Sequence, residues 1–170
     1  MLRLFAKTFK TGVVTERIKR PEANELEQLG IEVKRRIDKY FSGSLAIRAV
    51  DAGSCNGCEL EIHAINNPIY DVERYGIHFV PSPRHADVLL VTGPVSRHMQ
   101  TALLRTYEAT PHPKWVIAVG DCAVCGGEFG VSYASCGAVA NVIPVDVTIS
   151  GCPPTPETLV KGLLSLMKNK

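Results

Sequence analysis

Two compact apolar runs, Asp87-Val88-Leu89-Leu90-Val91-Thr92 and Lys114-Trp115-Val116-Ile117-Ala118-Val119, each stop at a glycine, Gly93 and Gly120. Neither alternates polar with apolar residues, so each buries both of its faces, the habit of strands in a parallel sheet covered by helices on two sides. Arg97 to Ala109 lies between them, and there His98, Ala102, Leu103 and Tyr107 recur at helical steps. Strand, glycine loop, helix and strand again is the repeat of an α/β domain.

The rest of the chain extends that alternation. Leu45 to Val50 is a further strand, and Val142 to Ile149 another, with Pro144 giving it an edge or an irregular start. Leu26, Leu29, Val33, Ile37 and Tyr40 mark an amphipathic helix over residues 21–41, and Glu59 to Asn66 forms a second helix, stopped before Pro68. Pro156 opens a final helix over Glu157 to Lys168. No internal repeat and no low-complexity linker interrupts this order. A chain of 170 residues suffices for one domain with its own core. The expected organisation is an arm over residues 1–20 followed by a single α/β domain over residues 21–170.

Charge separates those two parts. The net charge of +2 is too small to argue for nucleic acid, which is not expected as a partner. Residues 1–20, however, carry six basic groups, including Arg3, Lys7 and Lys10, against the single acid Glu16. Leu2, Phe5 and Phe9 give this arm an apolar stripe, suited to a membrane surface or to folding on a partner. No apolar run approaches the ~20 residues needed to cross a bilayer, and the start lacks the apolar stretch of a secretory signal. Both absences favour the cytoplasm. Six cysteines in a reducing compartment are metal ligands or redox groups sooner than disulfides.

Five of the six fall just past strand ends. Cys55 and Cys58 follow the first strand, Cys122 and Cys125 follow Gly120, and Cys152 follows Ile149. In open α/β sheets such loops meet at one edge, where sites form. Three chemistries fit. A C-x-x-C dithiol is possible at either pair, although two pairs and Cys152 exceed its needs. A zinc site built from Cys55, Cys58, Cys122 and Cys125 matches the two-pair habit but leaves Cys152 idle. A cubane iron–sulfur cluster takes four soft thiolates from distant loops. Spacing alone does not name the four.

The segments GSCNGCELEI, PSPRHADVLLVTGPVS, VIAVGDCAVCGGEF and IPVDVTISGCPPTP, taken together, resemble the small, electron-transfer subunit of membrane-bound, energy-converting NiFe hydrogenases of the formate hydrogenlyase type. This group is homologous to the subunit of respiratory complex I that carries its terminal cluster. The likeness runs in order through residues 30–168. It implies a flavodoxin-like parallel sheet with helices on both faces and one 4Fe–4S cluster at the loops after the strands. Its ligands would be Cys55, Cys58, Cys122 and Cys152. Cys125 stands where the family requires no cysteine, which leaves it a free thiol or an alternative to Cys122. Cys136 reads as a packed, inert cysteine. Complex I subunits of this type carry two adjacent cysteines in the first motif; here Asn56 and Gly57 separate them, as in the hydrogenases.

The resemblance also implies a role. The subunit would pass electrons from a ferredoxin-like iron–sulfur subunit to the NiFe site of a hydrogenase large subunit, for proton reduction or hydrogen oxidation. It would sit peripherally on the cytoplasmic side, beside membrane-arm subunits, with no complete active site of its own. The alternative is the same relay in a complex I-like quinone oxidoreductase or a NiFe-lacking relative. A third reading is a zinc-stabilised α/β binding domain. Glu59 and Glu61 are either solvated helix-start acids or carboxylates that handle protons or tune the cluster. Arg84 and His85 are either a polar turn or part of the interface with the large subunit.

Overall fold

The computed structural model describes residues 7, 9–11 and 25–167. Within them run helix α1 (Glu25–Tyr40), strand β1 (Leu45–Asp51), helix α2 (Gly57–Ala64), strand β2 (Ile77–Phe79) and strand β3 (Val88–Thr92). Then follow helix α3 (Arg97–Ala109), strand β4 (Trp115–Val119), helix α4 (Asp121–Cys125), strand β5 (Val147–Ile149) and helix α5 (Pro156–Leu166). The sheet has five strands in the order β2-β1-β3-β4-β5, and every pairing is parallel. That is the flavodoxin-like order of a doubly wound sheet.

The apolar runs bury both faces, as their composition requires. Val88 and Leu90 of β3 join a core with Ile47, Ile117, Ile37, Ile62 and Leu163. Leu89 and Val91 point the other way and pack with Val116, Ala118, Leu103 and Val139. Strand residues therefore alternate between two cores, one on each side of the sheet. Local signals set the helix starts. Ser96 caps α3 by accepting the Met99 N–H at 3.2 Å, and Thr155 caps α5 by accepting the Thr158 N–H at 3.3 Å ahead of Pro156.

Three local features differ from the sequence reading. β2 carries no signal in the sequence, because three residues with His78 at the centre make no apolar run. Val142 to Ile149 is a strand only over Val147–Ile149. Ahead of it, Val139–Asn141 forms a 3-10 turn, and Val142, Ile143 and Val145 pack on the second core from irregular backbone. Finally, the chain after Gly120 is helical at once, where the sequence predicts a loop.

Of the basic arm, Lys7, Phe9, Lys10 and Thr11 are described as helical, with Phe9 exposed. Arg3, Leu2, Phe5 and Glu16 lie outside the described residues, as do residues 21–24 of the first expected helix and Lys168 of the last.

Candidate metal centre

Strand β1 delivers the first two cysteines. Its last residue, Asp51, turns its carboxylate onto the following chain, where Oδ1 accepts the N–H groups of Gly53 and Ser54, each at 2.8 Å. Ser54 Oγ then accepts the Asn56 N–H at 3.1 Å. Asn56 itself is left-handed, with φ of 70°, and opens α2. Asn tolerates this region because its short polar side chain carries little steric cost there. Cys55 and Cys58 therefore stand on either side of the start of α2.

Strands β4 and β5 deliver the others. Gly120, at φ of 85°, donates its N–H to Ile149 O at 2.7 Å and so joins the two strand ends. Cys122 follows in the short helix α4, and Cys152 follows Gly151, with a cis peptide bond to Pro153.

These loops converge. Cys55, Cys58, Cys122 and Cys152 line one small cavity of about 40 Å³, together with Gly57, Gly93 and Gly151. Glycines outside the lining also leave the thiols room. A Cβ on Gly120 would lie 2.6 Å from Cys58 Sγ, and one on Gly127 would lie 2.8 Å from Cys122 Sγ. The thiols also act on one another. Burial first, then the charges of Glu59, Cys55, Cys122 and Cys152, push the Cys58 thiol up to about 11. Cys122 is raised likewise, by burial and then by Cys152, Cys55, Asp121 and Cys125. Two raised thiols beside two further cysteines form a donor set that a cationic group relieves. Among the described residues, no three His, Cys, Asp or Glu side chains are placed to hold a single metal ion.

The remaining cysteines stand apart. Cys125 does not line the cavity; it is exposed, and its Sγ–H donates to Asp121 O at 3.2 Å. Cys136 is buried in the second core and donates to Gln100 Oε1 at 3.4 Å.

A larger cavity of about 440 Å³ lies between β1, α2 and the chain after β2. It exists because β2 stops at Phe79, opposite Ile47, leaving Arg48 to Asp51 without a strand partner on that side. Glu59 lines it, and both carboxylate oxygens are buried without a hydrogen-bond partner. Arg48 Nε shares that cavity and that condition. Volume alone would choose this cavity as the site, but its lining holds no thiol, and the donor set decides for the smaller one.

Glu61 is half-buried and lines neither cavity. Arg84 and His85 are exposed in a 3-10 turn that precedes the N-terminal end of β3, whereas the cysteines follow C-terminal strand ends. The structure does not bring them to the thiols. Sequence reasoning missed Asp51, Gly120, Asp121 and Arg48. An acid or glycine at a strand end was a readable signal for the first three, but Arg48 looked like any strand residue.

The profile of a family described as NADH ubiquinone oxidoreductase, 20 kDa subunit, matches residues 55–166. The chain is similar to formate hydrogenlyase subunit 7 of Escherichia coli (strain K12), with 45% identity over 141 residues, or 81% of this chain and 55% of that protein. It is also similar to a B-type NADH-quinone oxidoreductase subunit of Herpetosiphon aurantiacus, with 46% identity over 110 residues, or 64% of this chain and 61% of that protein. The chain thus spans less than two thirds of the length of these two relatives. A chain in the solved structure of the membrane-bound sulfane sulfur reductase, an archaeal respiratory membrane complex, matches with a TM-score of 0.65 and 35% identity, covering 85% of this chain and 75% of that one. No helix among the described residues is long and apolar enough to cross a membrane.

Proposed function

The chain belongs to the family of the 20 kDa subunit of NADH ubiquinone oxidoreductase, and on that premise we infer that it is the electron-transfer subunit of a membrane-bound NiFe hydrogenase-type complex. Its relatives are oxidoreductase subunits of hydrogenase-type and complex I-like membrane complexes. In this reading Cys55, Cys58, Cys122 and Cys152 hold one 4Fe–4S cluster. When bound, that cluster supplies one-electron transfer between a ferredoxin-like iron–sulfur subunit and the NiFe site of a large subunit. The protein sits peripherally at the cytoplasmic face, against membrane-arm subunits.

One observation carries the reading: four thiols from three separated loops share one glycine-walled cavity. Soft thiolate donors in that number, brought from separate loops, suit an iron–sulfur cluster. The chain's own residues then have definable tasks. The glycines let the thiols approach, and Asp51 and Asn56 shape the first ligand loop. Glu59 places a carboxylate near Cys58, where it acts on the charge balance of the site.

A second reading has its own support. The similarity to a quinone oxidoreductase subunit and to a chain of a sulfane sulfur reductase complex favours the same relay in a complex I-like or NiFe-lacking assembly. The C-x-x-C spacing of the first motif supports the hydrogenase reading. A zinc-stabilised domain is the third, and it would use Cys125, which faces away from the shared cavity.

Two measurements separate the three. Iron and acid-labile sulfide in the purified 170-residue chain, near four of each per chain as a cubane cluster requires, support the relay; zinc without sulfide overturns it. Nickel bound to the co-purifying large subunit supports the hydrogenase reading, and a large subunit without nickel favours the second.

A further inference from the structure

The loops bearing Cys122 and Cys152 are joined at Asp121, which also lines the thiol cavity. Asp121 donates its N–H to Gly151 O at 3.0 Å, and its Oδ1 accepts the Gly151 N–H at 2.8 Å. This reciprocal pair is a short, two-point tie between residues 30 positions apart. Each end sits one residue before a cavity-lining cysteine: Asp121 before Cys122, Gly151 before Cys152.

The tie is built into close quarters. Gly151 has φ of 136° and no space for a side chain, since a Cβ there would meet Pro154 Cα at 2.7 Å. On the other flank of Asp121, a Cβ on Gly120 would meet Cys58 Sγ at 2.6 Å and Gly151 O at 3.4 Å. The Gly120–Asp121 unit is thus the seam where all three cysteine loops touch. A neighbouring lysine or arginine would be the ordinary reason for a carboxylate, but none forms an ion pair with Asp121 among the described residues. Its oxygen is engaged by backbone instead.

We propose that Asp121 is a positioning residue whose side-chain oxygen, through the Gly151 N–H, fixes the spacing of the Cys122 and Cys152 thiols for the cluster. This rests on the reading that both cysteines are ligands. Outer-shell groups that orient metal ligands characteristically change affinity by about 10–100-fold when removed. An acceptor oxygen is what the tie needs, and the charge of the carboxylate is not. Asparagine at this position keeps such an oxygen; alanine does not.

The test uses the full chain with its reconstituted cluster, challenged with an iron chelator and followed by visible absorbance and by EPR after reduction. In Asp121→Ala the cluster should be lost on the order of tenfold faster, with an altered EPR line shape. Asp121→Asn should restore both to the wild-type values. Wild-type chelator resistance and line shape in Asp121→Ala overturn the proposal. So does a tenfold faster loss in a folded Asp121→Asn, which decides the matter even if the alanine variant fails to fold. Cys122→Ser and Cys152→Ser carried alongside keep the two claims apart. If both retain a full cluster, the ligand reading fails; if both lose it while Asp121→Ala does not, only the positioning role fails.

Discussion

The chain carries the same C-x-x-C spacing twice, and the two copies are built differently. Between Cys55 and Cys58 the backbone passes through left-handed Asn56 into the start of α2, and both thiols line the shared cavity. Between Cys122 and Cys125 the backbone is helical throughout, and only Cys122 lines it, while Cys125 turns back onto the carbonyl of Asp121. Equal spacing therefore does not mean equal placement. What distinguishes the pairs is the conformation of the two residues between the cysteines, and Asn-Gly against Ala-Val is where the sequence encodes it.

The largest effect that tests this contrast is ligand replacement. Cys55→Ser, Cys58→Ser, Cys122→Ser and Cys152→Ser should each abolish or grossly distort the 4Fe–4S EPR signal, while Cys125→Ser leaves it unchanged. An intact signal in Cys122→Ser with loss in Cys125→Ser would reverse the assignment within the second pair.

Glycine substitution comes next. Gly120→Ala places a methyl 2.6 Å from Cys58 Sγ at a φ of 85°, so cluster content should fall on the order of tenfold, with a cost of about 1–3 kcal/mol to the fold. Gly57→Ala meets Cys55 Sγ at an ordinary 3.5 Å within a helix. It should leave cluster content alone and stabilise the chain by about 0.5–1 kcal/mol. Chemical denaturation and iron analysis of the two variants check both halves, and equal behaviour would show that the close approach of Gly120 to Cys58 has no role.

A smaller effect follows from the raised thiols. The folded chain holds Cys58 protonated up to about 11, above the ordinary thiol value of 9.0. The unfolded chain, with the lower value, gives up that proton first as pH rises. Stability of the cluster-free chain is therefore fully present below about pH 9 and declines as pH climbs towards 11. Cluster loading has the opposite sign, because ligation requires the thiolates. Melting temperature against pH in wild type and in Cys58→Ala should show the decline in the first and a flatter profile in the second.

The smallest effect concerns the acids after the first pair. A unit charge roughly 8 Å from a redox centre contributes about 2 kcal/mol at an effective dielectric of ~20, equivalent to nearly ~90 mV for one electron. Glu59, with buried and unpartnered oxygens, should approach tens of millivolts, so Glu59→Gln raises the midpoint potential. Glu61→Gln should move it less. Equal shifts in a redox titration, or none, would remove the distinction between the two glutamates.

The fold was legible wherever burial wrote itself as a run. β1, β3 and β4 coincide with the apolar stretches, and α3 runs from Arg97 to Ala109 as its periodicity requires. Short elements escaped because they carry too few residues to show a period. β2 has three residues, and α4 has five, closed by Gly126. Val142, Ile143 and Val145 read as strand because apolar residues that pack from irregular backbone look the same in sequence. At the site, residue types and strand ends pointed to the cysteine loops, and the resemblance singled out four cysteines. The burial of Glu59 was not readable, since it depends on β2 ending early beside β1.

The order of the strands also has a consequence for how such a site comes into being. The four cavity thiols hang from β1, β4 and β5, and among the described residues β5 is the last strand and pairs only with β4. No local segment holds more than two of them. The thiols therefore share no cavity until all of β1, β3, β4 and β5 stand in parallel register, a non-local and inherently slow arrangement. Until β5 docks, the cysteines are separate, reactive groups on a collapsing chain. Afterwards, anything that binds all four acts as a cross-link over about a hundred residues, and its loss would free the sheet's last strand first.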